Sequence, residues 1–298
     1  MLTIFSVPKP FTDLAAIQQR NAIQSWLRLT PKCQIILCGD DPSVIAAALE
    51  LGVESMTSIR CNEFGTPFLD SVFSQAHEQA RFPILCYVNS DIILMDSFMD
   101  AVARIDMNRF LAIGQRTNLD LTDPIDFSDP AWRLALLQQC AGKGKLFSSF
   151  GIDYFVFTRN SNLHNLPPFL VGRPRWDNWF IFNARKRRVP IVDMTSVCLV
   201  IHQNHGYAHI PQWGGKSWNG PEAVWNSGLF SNLVGNTKHV FSVKDSTFLL
   251  TKKRLLPALQ KGYLFQRLQT SALMFPMLRF PAKLVKFIYL KIHTKRQK

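Results

Sequence analysis

The sequence predicts an α/β protein with a mostly parallel sheet, from three observations. Short apolar runs recur along the first half, helical stretches of about ten residues or more separate them, and polar, acidic clusters close two of the runs. Apolar runs of this length are strands buried on both faces, and strand–helix–strand units pair their strands in parallel through right-handed crossovers.

The elements follow in order. Leu2 to Val7 is a strand, and Asp13 to Leu29 repeats apolar residues at Leu14, Ile17, Ala22, Trp26 and Leu29, a helical stripe with Thr12 available as its cap. Cys33 to Cys38 is a second strand, ended by Gly39-Asp40-Asp41-Pro42. A helix from Ser43 to Leu51 is stopped by Gly52, Ser55 to Arg60 is a third strand, and Pro67 to Ala80 a third helix. Strand four, Ile84 to Val88, runs into Asn89-Ser90-Asp91 and reopens as Ile92-Ile93-Leu94. This half has the pattern of a Rossmann-like nucleotide fold, whose ligands gather beyond the carboxyl ends of the strands. Asp96 to Ile105 is then a helix and Phe110 to Gln115 a strand; Asn118 to Pro130, rich in Asp and Pro, reads as a loop. A helix from Ala131 to Cys140, a strand from Asp153 to Phe157, a helix from Trp179 to Arg187 and one or two strands within Ile191 to Ile201 complete the pattern.

A formal net charge of +13 suggests an acidic partner until the charge is located. The 53 residues after Asp245 hold twelve Lys and Arg and no Asp or Glu, whereas the first 245 hold 22 basic and 21 acidic side chains. The body is nearly neutral, which argues against nucleic acid as a partner. In the tail, Phe280, Leu284, Val285, Ile288 and Ile292 interleave with Arg279, Lys283, Lys286, Lys291 and Lys295, a basic amphipathic pattern that suits an anionic membrane surface or docking onto the domain. The run Arg185 to Arg188 reads as a solvated helix end. Six cysteines without zinc-type spacing read as reduced core residues, and the first eight residues read as a strand rather than a signal peptide. The expectation is a cytoplasmic protein, peripheral on a membrane if the tail binds one.

Three clusters carry chemistry. Asn89-Ser90-Asp91 places a carboxylate at a strand end, with Asp40 and Asp41 at the end of another; the plain alternative is an ordinary turn. Oxygen ligands of this kind suit Mg2+ or Mn2+, which keep waters and substrate phosphates in their shell. Gly172-Arg173-Pro174-Arg175-Trp176-Asp177-Asn178-Trp179 gathers two guanidinium groups for phosphate, two indoles for stacking and a carboxylate for base catalysis; the alternative is an N-capping Asp177 with the indoles in the core. His202, His205 and His209 follow the apolar run Val197 to Ile201 and offer metal ligands.

An N-terminal first strand, Asp40-Asp41 after strand two, Val88-Asn89-Ser90-Asp91 after strand four, Asp177 86 residues later and His202 25 after that resemble the GT-A nucleotide-sugar glycosyltransferases over roughly residues 1 to 255. The resemblance implies a mixed α/β sheet flanked by helices, a transferase domain at 1–255, and a basic helical tail at 256–298. It implies a nucleotide-sugar donor, a glycan or other hydroxyl acceptor, and Mn2+ or Mg2+ on the donor diphosphate. Asp91 and His202 would be metal ligands, with His205 as the neighbouring candidate; Asp40 would contact the base or ribose, and Val7, Pro8 and Phe11 would line the nucleotide pocket. Asn89 stands where the family has its first metal-binding Asp, and Ser90 lies between. Arg173 or Arg175 would neutralise the leaving diphosphate, Trp176 would stack on the ligand, and Asp177, with Asp153 as second candidate, would take the acceptor's proton. A binding protein of the same fold without turnover is the alternative. A sugar nucleotidyltransferase would show a glycine-rich basic loop after strand one, where this chain has Val7-Pro8-Lys9-Pro10-Phe11.

Overall fold

The computed structural model describes residues 1–205, 218–235 and 240–278 of the 298. The pleat of β1 (Leu2–Ser6) sends Leu2 and Ile4 into one core cluster and Phe5 into another, so both faces of the strand need cover. β1 pairs in parallel with β2 (Gln34–Cys38) on one side and β4 (Ile84–Val88) on the other, and β3 (Glu54–Met56) extends the β2 side. The helices α1 (Asp13–Leu27), α2 (Pro42–Leu51) and α3 (Leu69–Gln79) are the crossovers. Gly52, in the left-handed region at φ 66°, ends α2 as expected, and Asp41 caps its start by accepting from the Ser43 amide at 2.8 Å. Thr12 occupies the cap position of α1, yet its hydroxyl makes no cap bond.

Beyond β4, the chain forms β5 (Ile92–Leu94), α4 (Asp96–Ala103), β6 (Leu111–Ile113), β7 (Thr117–Leu119), α5 (Trp132–Lys143), β8 (Lys145–Leu146) and β9 (Tyr154–Thr158). There follow α6 (Trp176–Lys186), β10 (Ile191–Asp193), β11 (Val200–Gln203), α7 (Pro221–Val234), β12 (Phe248–Leu250), β13 (Leu255–Pro257) and α8 (Lys261–Met274). Among the described residues, nine strands form the main sheet in the order β13-β12-β10-β6-β9-β4-β1-β2-β3, with β9 antiparallel between β4 and β6. The sheet is therefore mixed, as the resemblance implied. A second sheet, β5-β11-β7-β8, stands beside it. Thr117–Leu119 lies inside or against the segment expected to be a loop: its short run gains its strand partners from β11 and β8, which no local pattern reveals.

One face of the main sheet packs against α3, α6 and α7 through Phe73, Trp176, Phe180 and Phe230; the other packs against α1, α2 and α4 through Trp26, Val44 and Phe98. A smaller cluster of Ile93, Leu119, Trp132 and Ile201 seats the second sheet on α5. Arg185 is no solvated helix end. It bonds Asp245, a fully buried carboxylate, at 2.7 Å and reaches Thr270 and Ser271, so it ties α6 to α8. Tyr263 of α8 also donates to Asp193 at 2.6 Å. Residues 279–298, which carry the basic amphipathic pattern, and His209 lie outside the described residues. No helix of the described residues is long and apolar enough to cross a membrane. The six cysteines are free thiols, and Cys38, Cys86 and Cys198 are buried.

Candidate functional site

Strand order fixes where a ligand crevice opens. The chain steps outward from β1 to β2 and β3, then returns to β4 on the other side of β1, so the connections leaving β1 and β4 diverge at their carboxyl ends. The β1 exit carries Val7 to Phe11 and the β4 exit carries Asn89-Ser90-Asp91. That triplet is also the bridge from the main sheet into β5 of the second sheet. The carboxylate thus surfaces where two sheets part.

His202 reaches Asp91 through sheet register. β11 pairs antiparallel with β5, placing His202 opposite Ile92, and the Asp91 carbonyl accepts from Gln203 Nε2 at 3.0 Å. Asp91 Oδ2 lies 2.8 Å from His205 Nε2 and 3.8 Å from His202 Nε2, and potential ligand atoms of the three residues fall within 4.8 Å of one another. Two buried atoms of this cluster, Asp91 Oδ1 and His202 Nδ1, have no hydrogen-bond partner among the described residues. Burial alone would raise the Asp91 pKa; the hydrogen bond from His205 and the nearby His202, His205 and Lys9 outweigh it and hold the carboxyl well below its usual range. Burial also lowers the His202 pKa, with Asp91 opposing. One carboxylate and two imidazoles with an orphaned carboxylate oxygen fit a divalent cation.

Asn89 turns away from this cluster. Its amide donates to Asp153 Oδ1 at 2.7 Å, while Arg116 Nη1 contacts Asp153 Oδ2 at 2.5 Å and its Nε bonds Asn118 at 3.0 Å. An Asp at position 89 would set two carboxylates at hydrogen-bond distance, so the amide is what this neighbour requires. Asp153, the second base candidate, has both oxygens engaged.

Asp177 sits in the first turn of α6, not at its cap. The cap is Arg175, held at φ 84°, a costly conformation for a residue with a Cβ, and its guanidinium lies 5.6 Å from the rings of both Trp218 and Phe230. Desolvation, reinforced by Asp153, pushes the Asp177 pKa up to about 7. Its folded pKa exceeds its unfolded one, so this group favours folding at low pH and opposes it increasingly as pH rises from about 4 to 7. Asp177→Asn is therefore expected to melt higher than wild type at about pH 8; calorimetry showing a lower melting temperature there would contradict the environment described.

The remaining expected residues divide. Ser90 donates to Gln19 Oε1 at 2.9 Å, and Gln19 also exchanges bonds with the Lys9 amide (2.7 Å) and carbonyl (2.9 Å), so α1 clamps both exits together. Val7 and Phe11 are part-buried against the two cores, Pro8 is part-exposed between them, and Phe11 lies under Arg20 at 5.3 Å. Asp40 is exposed after β2. Trp176, expected to stack on a ligand, instead packs in the core at 5.0 Å from Phe155 and 5.1 Å from Tyr87. Arg173, expected at the diphosphate, is buried and bonded through Nε and Nη2 to Glu222 at 2.9 and 2.5 Å. The dense Arg/Trp string owes these members to packing.

Three residues that the sequence did not point to belong here: Lys9, Arg116 and Gln19. Burial lowers the Lys9 pKa, Asp91 opposes and Arg173 adds to the lowering, which places its ammonium within the field of both. A lysine between two prolines directly after strand one was the available signal. Arg116 carried none.

No family model matches the chain, and no curated protein matches it in sequence. Among solved structures, it resembles Staphylococcus aureus TarS 1-349 in complex with UDP-GlcNAc, with 11% identity, TM-score 0.50, and coverage of 80% of this chain and 67% of that one. A nucleotide-diphospho-sugar transferase candidate from Desulfovibrio desulfuricans G20 aligns over 92% of this chain and 96% of its own at 11% identity, with TM-score 0.41. At such identities the likeness speaks to fold. The mixed sheet, its flanking helices and the likeness to the TarS structure together give the chain a GT-A-like fold.

Proposed function

We propose that the protein is a metal-assisted glycosyltransferase that moves a sugar from a UDP- or GDP-sugar to a hydroxyl acceptor. The observation that carries this reading is the Asp91–His202–His205 cluster, with its unpartnered carboxylate oxygen, at the switch point of a GT-A-like fold. Asp91, His202 and His205 would hold the cation, and two imidazoles in the set favour Mn2+ over Mg2+. When bound, the cation supplies Lewis-acid stabilisation of charge on the leaving diphosphate. Lys9 adds a second positive charge from the β1 exit, and Asp40, Val7, Pro8 and Phe11 border the space for the nucleoside.

Asp177 takes the proton of the acceptor hydroxyl. The acceptor oxygen then forms its bond to the anomeric carbon as the bond from that carbon to the diphosphate breaks, and the electron pair leaves with the nucleoside diphosphate. Asn89 and Arg116 hold Asp153, the carboxylate whose charge helps to raise the Asp177 pKa. The expected rate rises with pH through about 7, where Asp177 loses its proton, and Asp177→Asn lowers turnover by about 10²-fold. Release of free nucleotide from UDP- and GDP-sugars in Mn2+, followed across pH, is the test. Donor binding without any release would favour a binding protein of this fold, and no donor binding in any metal would remove the reading. A cytoplasmic site of action and attachment through the basic tail complete the proposal; liposome co-sedimentation with and without residues 276–298 tests the latter, and equal binding by both forms rejects it.

A further inference from the structure

A second cleft, of about 740 Å³, opens between α3 and α6 on the helical face of the main sheet. None of Asp91, His202, His205, Asp153 or Asp177 lines it, and the loop through His164 closes one side. Its wall contains an unusual group of unsatisfied polar atoms. Trp179 Nε1, Asn183 Nδ2 and His164 Nδ1 are all buried without a hydrogen-bond partner among the described residues, and Trp179 and Asn183 are each only 6% exposed. A buried polar group left unpaired costs about 1–3 kcal/mol, and two donors with an imidazole nitrogen in one wall call for a partner from outside the chain.

The α6 side of the wall offers donors. The Asn183 carbonyl oxygen is already taken by Arg187 Nε at 3.1 Å, which leaves the NH2 as the group on offer. Asp70 is paired with Arg60 at 2.6 Å, so Arg187, exposed at the mouth, is the cation whose charge no carboxylate of the wall balances. Burial, His77, Arg187 and Arg159 together lower the His164 pKa to about 4, so its ring is neutral at physiological pH. Trp179, Asn183 and Arg187 stand at four-residue intervals on one face of α6 and its end, a line of donors about 12 Å long. A compact anion reaches one end of such a line; a ligand with oxygens spread along it reaches all of it.

We infer that this cleft is a second ligand site, separate from the Asp91 cluster, for an anionic saccharide of about two sugar units. The phosphate or carboxylate lies against Arg187, and the hydroxyl and ring oxygens accept from Asn183 and Trp179 once those side chains turn to meet them. His164, neutral, bonds a hydroxyl as donor or acceptor according to its tautomer.

Isothermal titration of the full chain with sucrose 6-phosphate, a uronic acid disaccharide, sucrose and inorganic phosphate tests the site. At least one anionic disaccharide is expected to bind with Kd of about 1 mM or tighter, and sucrose and inorganic phosphate each about tenfold more weakly. Phosphate-bearing and carboxylate-bearing sugars in separate arms show which anion the site takes. Arg187→Gln, at an exposed position that leaves folding intact, is expected to weaken binding about tenfold; Trp179→Phe and Asn183→Leu, checked for folding by circular dichroism, weaken it severalfold. Asp91→Ala leaves it unchanged. Absence of binding by every anionic saccharide, inorganic phosphate binding as tightly as the sugars, an unaltered Kd in Arg187→Gln, or loss of binding in Asp91→Ala would each overturn the assignment.

Discussion

Replacing Asp91 by alanine is expected to lower sugar transfer by about 10³-fold or more, because it removes the carboxylate that both imidazoles face. Asp91→Asn is the sharper variant: it keeps the shape and an oxygen for His205 while removing the charge a cation needs. The loss should persist at saturating donor, since stabilisation of the leaving diphosphate belongs to the transition state. Stability moves in the same direction above about pH 4. The folded-state pKa of Asp91 is depressed, so its ionised form stabilises the fold above the unfolded value of about 4 and that contribution fades as pH falls further. Steady-state release of nucleotide, paired with thermal unfolding at pH 7, separates the two effects. Activity of both variants within about twofold of wild type would remove Asp91 from the reaction.

The second large effect is on stability. Arg173 and Glu222 form an ion pair with side chains 8% and 3% exposed, and Glu222 Oε1 also accepts from Asn62 Nδ2 at 2.8 Å. Glu222→Ala leaves a buried guanidinium without its counter-charge and strands Asn62, and is expected to cost about 3–5 kcal/mol. Replacing both partners, Arg173→Met with Glu222→Leu, should recover most of that loss, because two matched apolar groups no longer require desolvation of charge. Urea unfolding of the two variants measures the difference; a single-variant cost below about 1 kcal/mol would mean the pair is solvated rather than buried. This pair fastens α7 to the loop before α6, and so holds the start of the helix that carries Asp177.

What the sequence disclosed follows from how local each signal is. β1 to β4 with their crossover helices were legible because each is an apolar run or helical stripe bounded by Pro, Gly or Asp, and the site at the β4 exit came with them. The second sheet was legible only in part: the apolar runs Ile92–Leu94 and Val197 to Ile201 pointed to two of its strands, whereas Thr117–Leu119 and Lys145–Leu146 exist only by pairing with distant chain. The helix Pro221–Val234 escaped for a different reason: its pattern is weak, although Gly220 before Pro221 and Gly235 at φ 76° are start and stop signals. Asp91 and His202 were readable as chemistry, and sheet register then explained their approach. The cluster Arg173 to Trp179 misled because aromatic and cationic density looks the same whether it binds a ligand or builds a core; here Trp176 and Arg173 do the latter. Asn89 is the instructive case. Read along the chain it is a missing charge, and read in the fold it is the partner of Asp153, while His205 brings a third metal-ligating side chain to the cluster.

The central claim is that Asp91, His202 and His205 hold a cation against a nucleotide-sugar diphosphate. Thermal unfolding of wild type and Asp91→Ala with UDP- and GDP-sugars, each with Mn2+ and with chelator, tests it most directly. One donor is expected to stabilise the wild type by about 2–3 kcal/mol at a hundredfold excess over Kd, only in Mn2+, and to leave Asp91→Ala unmoved. Equal stabilisation in chelator, or in the variant, would contradict it.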